Sequence, residues 1–284
     1  MNEISRRQFL TTCAAGVAAA GLPLRAFPLN LPLGFQSFDV NRALSADFEG
    51  TCRTLAGYGY QLIDYVWLGH NANMPSVSAM TAKDIRRAFD SGGLKCRNCH
   101  FSWAELHDDY DKTIEIAHTL GLDSVICQSM SSKAKSADGW KWHADQLNAL
   151  GEKTKREGIL TGYHNHPVEF VEIDGAIPFD LLLQGTDAKL VQMQLDVGSA
   201  AVSGKDPIAY LEKYPDRYFS IHAKDVRDGK IGIAVGEGTL DWNKIFAAAR
   251  KAPLRNYDVE TGARPDVVMD KLRQSAEFLR NLKA

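Results

Sequence analysis

Short apolar runs recur about every 30 residues along most of the chain, bounded by Gly, Pro or charged residues. They predict strands at Leu33–Phe38, Leu62–Trp67, Leu94–Phe101, Ser124–Gln128, Ile159–Asn165, Val191–Val197, Tyr218–Ala223 and Tyr257–Thr261. Segments of helical period lie between them, at Phe48–Tyr58, Ala82–Ser91, Asp109–Leu120, Trp140–Glu157, Pro178–Gln184, Pro207–Tyr214, Trp242–Lys251 and Val267–Lys283. Gly121, Gly158 and the Gly92-Gly93 pair stand where helices should end. Eight strand–helix alternations in about 255 residues predict an α/β fold, a single-domain (β/α)8 TIM barrel, rather than an open doubly wound sheet. No Gly-x-Gly-x-x-Gly follows the first strand, which weakens the dinucleotide-binding alternative.

The first 30 residues break this pattern. Ser5-Arg6-Arg7-Gln8-Phe9-Leu10 leads into an Ala-rich apolar run too short for a convincing membrane span. Twin arginines before such a run read as a Tat export signal over residues 1–30, with the catalytic domain over 31–284. The expected partner is then the Tat machinery, and the expected location is periplasmic or secreted. The mature chain carries no predicted membrane anchor, and a homodimer is compatible with it. A net charge of −2 across 284 residues argues against an electrostatic grip on nucleic acid or anionic lipid. Outside the leader there are four cysteines, too few for a disulfide scaffold in a chain this long.

Candidate chemistry gathers late in the chain. In a barrel, reactions occur at the C-terminal ends of strands. The fifth predicted strand ends in His164-Asn165-His166, the sixth in Asp196, the seventh in His222-Ala223-Lys224-Asp225 and the eighth in Glu260. One carboxylate after a strand is usually a turn or helix-cap residue. Four consecutive strands ending in His or carboxylate point instead to a shared divalent cation, Mn, Co, Zn or Fe.

Several segments, GFQSFDV, HFS (100–102), GYHNHPVEF, LDVG, HAKD, VGEGTLDW and the late VE, together resemble the xylose-isomerase-like TIM barrels, the sugar phosphate isomerase/epimerase superfamily. The resemblance runs from about Leu33 to the C-terminus. It implies metal ligands His164, Asp196, His222 and Glu260. The family's fifth-strand Glu is His164 here, and His166 and Glu169 remain alternatives for that position. Ser199 stands where the family carries a His. The implied activity is a metal-dependent sugar or keto-sugar isomerase or epimerase working through an enediolate. Glu260 and His166 are the implied catalytic bases, and Lys224 holds a developing oxyanion. Expected substrate contacts are His100, Gln36, Asp64 and Glu169, with Gln128, Trp67 and Trp103 also near strand ends. Cleavage of a 3-keto-glycoside by a lyase or hydrolase is the alternative within this chemistry. A non-catalytic sugar-binding barrel is the alternative outside it.

Two rivals fail on the residues. Cys96-Arg97-Asn98-Cys99-His100 matches the c-type haem pattern, yet it lies within a predicted strand, where residues three apart should face opposite sides. A multinuclear nuclease would need more than eight His and a basic face.

Overall fold

The computed structural model describes residues 27–67, 77 and 79–282. The expected export leader falls on residues 1–26, outside the described residues, and on 27–30. Within 27–30, Phe27 packs against the core and beneath the Arg280 guanidinium.

Eight parallel strands close into a barrel in sequence order. They are β1 (Leu33–Gln36), β2 (Leu62–Val66), β3 (Lys95–Phe101), β4 (Ser124–Cys127), β5 (Leu160–His164), β6 (Val191–Asp196), β7 (Tyr218–Ala223) and β8 (Asn256–Val259). The described helices are α1 (Asn41–Ala46), α2 (Phe48–Tyr58), α3 (Ala82–Gly92), α4 (Trp103–His107), α5 (Tyr110–Leu120), α6 (Ala137–Arg156), α7 (Pro178–Gly185), α8 (Val197–Val202), α9 (Pro207–Lys213), α10 (Trp242–Ala249) and α11 (Val268–Asn281). All eight predicted strands and all eight predicted helices are present, with ends shifted by a few residues. A capping box between Thr81 and Asp84 starts α3, and Gly93 at φ 80° closes it. Among the described residues, no helix is long and apolar enough to cross a membrane.

Outward-facing strand residues such as Leu33, Phe35, Ile63, Tyr65, Phe101 and Leu195 pack against the helices as one apolar core. The barrel interior is polar instead. At its lower end, Ser124 Oγ donates to Asn98 Oδ1 (2.6 Å), and Asn256 Nδ2 donates to Asp258 Oδ2 (2.6 Å). Ser220 Oγ donates to the same Asp258 oxygen (3.1 Å). Burial pushes the Asp258 carboxyl well above its usual range, and the neighbouring Asp64 charge adds to the shift. Such a layer is tolerated because nearly every member finds a partner.

Gly34 makes room for that layer, because a Cβ there would collide with the Asp258 carboxyl and touch Leu62. Asp258 is tethered by Asn256 and Ser220, so it cannot swing clear. Gly34→Ala is therefore expected to destabilise the protein by about 1–3 kcal/mol. Chemical denaturation would show the loss as a lower midpoint at unchanged slope.

Two bulges set which side chains face inward. The β2–β3 register pairs Ile63 with Cys96, then Asp64 with Asn98 and Tyr65 with Cys99. Cys96 and Cys99 therefore share the helix-facing side, correcting the expectation that they oppose each other, while His100 turns into the barrel. Both thiols are buried and pushed well above their usual pKa by that burial. With the cysteines on one side of the sheet and the histidine on the other, a haem cannot use all three.

Candidate metal centre at the barrel mouth

The last four strands deliver one donor each to a common point. His164 ends β5, Asp196 ends β6, His222 lies in β7, and Glu260 follows β8. Their donor atoms all lie within 4.8 Å of one another. His164, Asp196 and His222 are buried, and the Glu260 side chain is only slightly exposed. Apolar strands carry the donors here because the alternate residues Tyr163, Leu195, Ile221 and Val259 anchor the opposite face in the core.

Asp196 is positioned from three directions. Its Oδ1 accepts from Ser199 N (2.9 Å) and its Oδ2 from Ser199 Oγ (2.6 Å), as the N-cap of α8. Its backbone N–H donates to Asn165 Oδ1 (3.0 Å), so the Asn between the two histidines clamps β6 to β5. Ser199, which departs from the family's His, thus orients the carboxylate rather than adding a donor.

His222 is gripped at both nitrogens. Nε2 lies 2.8 Å from Asp64 Oδ2, and Nδ1 lies 2.8 Å from Glu260 Oε2. Burial alone would lower its pKa, but the hydrogen bonds to these two carboxylates push it up to about 10. His164 is the opposite case. Burial and the neighbouring His222 and His166 rings drive its pKa well below the usual value, so the imidazole is neutral. Its Nδ1 is buried without a hydrogen-bond partner among the described residues. Lys224 Nζ lies 2.7 Å from Asp196 Oδ2 and 2.9 Å from Glu260 Oε1. Despite its burial, Glu260 is held well below the usual carboxylate range by Lys224 and His222.

Beneath the quartet, Asp64 Oδ2 collects four contacts: His222 Nε2 at 2.8 Å, His100 Nε2 at 2.9 Å, Gln194 Nε2 at 2.9 Å and Gln36 Nε2 at 3.3 Å. Burial would raise the Asp64 pKa, but the His100 and His222 partners hold it well below the carboxylate range. Gln36, Asp64 and His100, expected as substrate contacts, are therefore mutually bonded supports, and all three are almost fully buried. An Asp–His pair of this kind fixes which imidazole nitrogen faces a cation. With Asp64 on Nε2, Nδ1 of His222 is the nitrogen left toward His164, Asp196 and Glu260. The donor set therefore fits a divalent cation, with one neutral imidazole whose Nδ1 has no partner among the described residues, a second oriented imidazole and two carboxylates.

Two expectations need correction. Glu169 does not reach the mouth: its carboxylate accepts from Tyr163 Oη (2.7 Å) and from His166 N (2.7 Å), on the outer side of β5. Strand alternation explains this, since Tyr163 faces away from His164. Glu169 is thus neither a substrate contact nor the fifth-strand donor. Trp67 packs against Tyr65 and Phe101 on the helix side, where it is not positioned to stack on a sugar in the barrel. His166 is exposed at the mouth with its ring centroid 4.8 Å from that of His164.

The roles of two further carboxylates escaped the sequence reading. Asp225 is buried and accepts from Gly236 N (2.8 Å), Gly238 N (3.2 Å) and Trp242 Nε1 (2.9 Å), organising the loop before α10. Asp39, after β1, accepts from Thr261 N (2.5 Å), Thr261 Oγ1 (2.8 Å) and Gly262 N (3.1 Å), which fixes the turn just beyond Glu260.

Comparison with known proteins places the fold. An inosose dehydratase from Clostridium beijerinckii is 36% identical over 144 residues, covering 44% of this chain and 47% of that protein. The chain thus spans about half the length of the curated relatives it matches. A crystal structure of a sugar phosphate isomerase/epimerase from Parabacteroides distasonis superposes with a TM-score of 0.78 at 24% identity, covering 89% of this chain and 94% of that one. The IOLI protein, solved with a bound zinc atom, superposes at 0.64 with 15% identity, covering 88% and 96%. The family model for xylose isomerase-like TIM barrels matches residues 52–282, and the chain belongs to that family.

Proposed function

We propose that the protein is a metal-assisted lyase acting on a keto-sugar or cyclic keto-polyol. In this reading it removes a proton beside the carbonyl and expels a hydroxyl or alkoxyl from the next carbon. The observation that carries this is the convergence of His164, Asp196, His222 and Glu260 around one point with the Lys224 ammonium beside them. The dehydratase names of the curated relatives favour elimination over the isomerisation expected from the sequence.

A divalent cation in the quartet would polarise the substrate carbonyl and acidify the neighbouring C–H. Glu260 is ionised and accepts that proton. Its hydrogen bonds from Lys224 and His222 make it a weak base in the resting site. Drawing Lys224 toward a substrate oxygen strengthens it as a base and gives that oxygen a cationic partner. The electron pair left on carbon forms a C=C bond as the C–O bond on the next carbon breaks. His166, exposed beside His164, is placed to protonate the departing oxygen. The products are an unsaturated ketone and water or an alcohol. In the same proposal the activity lies outside the cytoplasm, a reading supported by the twin-arginine segment at Arg6-Arg7.

Incubating the metal-loaded protein with keto-polyols and 3-keto-glycosides in D2O, followed by NMR, tests the reaction. Appearance of an enone with release of water or aglycone is expected. Solvent deuterium entering at carbon with no loss of the neighbouring oxygen would support isomerisation or epimerisation instead.

A further inference from the structure

The quartet has little free anionic capacity. Asp196 Oδ1 accepts from Ser199 N, and its Oδ2 accepts from both Ser199 Oγ and Lys224 Nζ. Glu260 Oε1 accepts from Lys224 Nζ, and its Oε2 accepts from His222 Nδ1. Every carboxylate oxygen of the quartet is engaged, and among the described residues Lys224 alone binds both carboxylates. This position is built into the fold. Gly198 lies against the Lys224 stem, and a Cβ there would press on Lys224 Cβ and Cγ at 2.7–2.8 Å. The Lys224 side chain is 7% exposed, so solvent does little to screen its charge.

We propose that Lys224 is an internal cation that competes with the metal. In the metal-free protein its ammonium neutralises Asp196 and Glu260 and keeps the site assembled. A divalent ion can take those oxygens only as Nζ leaves them, which lowers affinity for the ion and releases the ammonium toward the substrate. The physical basis is the repulsion between a fixed positive charge and a divalent ion in a site that excludes water. This rests on the metal-binding reading above, and it predicts that removing the ammonium strengthens metal binding.

The test is calorimetric titration of the full-length protein, stripped of metal, with Mn2+ and with Zn2+. Lys224→Met should bind the ion at least tenfold more tightly than wild type. Lys224→Arg, which keeps the charge, should bind no more tightly than wild type. Thermal melts supply a second readout: metal-free Lys224→Met should melt below wild type and gain more on saturation with metal. Equal or weaker affinity in Lys224→Met, with wild type binding one ion, overturns the competition and leaves the metal site standing. No binding by any form overturns the metal reading together with the competition. Crystals of the wild type with and without Mn2+ cover the case in which Lys224→Met fails to fold. Nζ should leave Asp196 and Glu260 in the loaded crystal, and an unmoved Nζ beside a bound ion refutes the proposal.

Discussion

Asp64→Ala is expected to cost about 3–5 kcal/mol of folding stability, the range for removing one partner of a buried charged pair. In a domain of this size that lowers the melting temperature by roughly 10 °C. The reason lies in the four contacts converging on Asp64 Oδ2, which would leave His222, His100, Gln194 and Gln36 without their shared acceptor. The same substitution should weaken metal binding by about 10–100-fold, as loss of a carboxylate behind a metal-facing imidazole does. It should also alter the pH dependence of the metal-free protein. His222 has a folded pKa of about 10 against an ordinary 6.5. Its stabilising contribution is therefore complete below pH 6.5 and is lost as pH rises through about 10. Wild type should lose stability across that window, and Asp64→Ala should show a shallower slope there. Denaturation midpoints between pH 6 and 10 measure both effects. A variant as stable as wild type, with the same slope, would mean that Asp64 is not the acceptor holding His222.

Glu260→Gln should reduce turnover by about 10²–10⁴-fold, the span usually attributed to a positioned acid or base. Gln keeps the shape and can still accept from Lys224, but it cannot take a proton from carbon. Exchange of the substrate's acidic C–H with D2O should fall together with product formation, because both begin with the same proton transfer. Metal content measured on the same sample separates loss of the base from loss of the ion. Unchanged exchange in a metal-loaded Glu260→Gln protein would assign the base elsewhere, with the imidazoles of His164 and His166 the next groups to test.

Much of this was legible in the chain. Strand order, helix order and the polar strand ends followed from apolar runs ending in polar residues, because a barrel must bury its strands and expose their C-terminal ends; the choice of His164, Asp196, His222 and Glu260 among those ends came from the family resemblance. The polar interior was harder to see. Its signal is present as polar residues two apart: Gln194 and Asp196, Ser220 with His222 and Lys224, and Asn256 with Asp258 and Glu260. Each ladder is masked by the apolar residue between, such as Leu195 or Tyr257, which packs outward and makes the run read as uniformly buried. The cysteines at 96 and 99 were misassigned to opposite faces because the bulge between them depends on pairing with β2, which no local pattern records. Glu169 was misplaced for a related reason. A short turn at Pro167–Phe170 brings it back under Tyr163, and distance along the chain does not reveal that return.

The central claim is that one divalent ion is held jointly by four strands. Anomalous diffraction from crystals of the protein loaded with zinc tests this most directly. A single strong peak bounded by His164, Asp196, His222 and Glu260 is the expected result. A peak elsewhere, or no peak in crystals of protein that retains full turnover without metal, would contradict it.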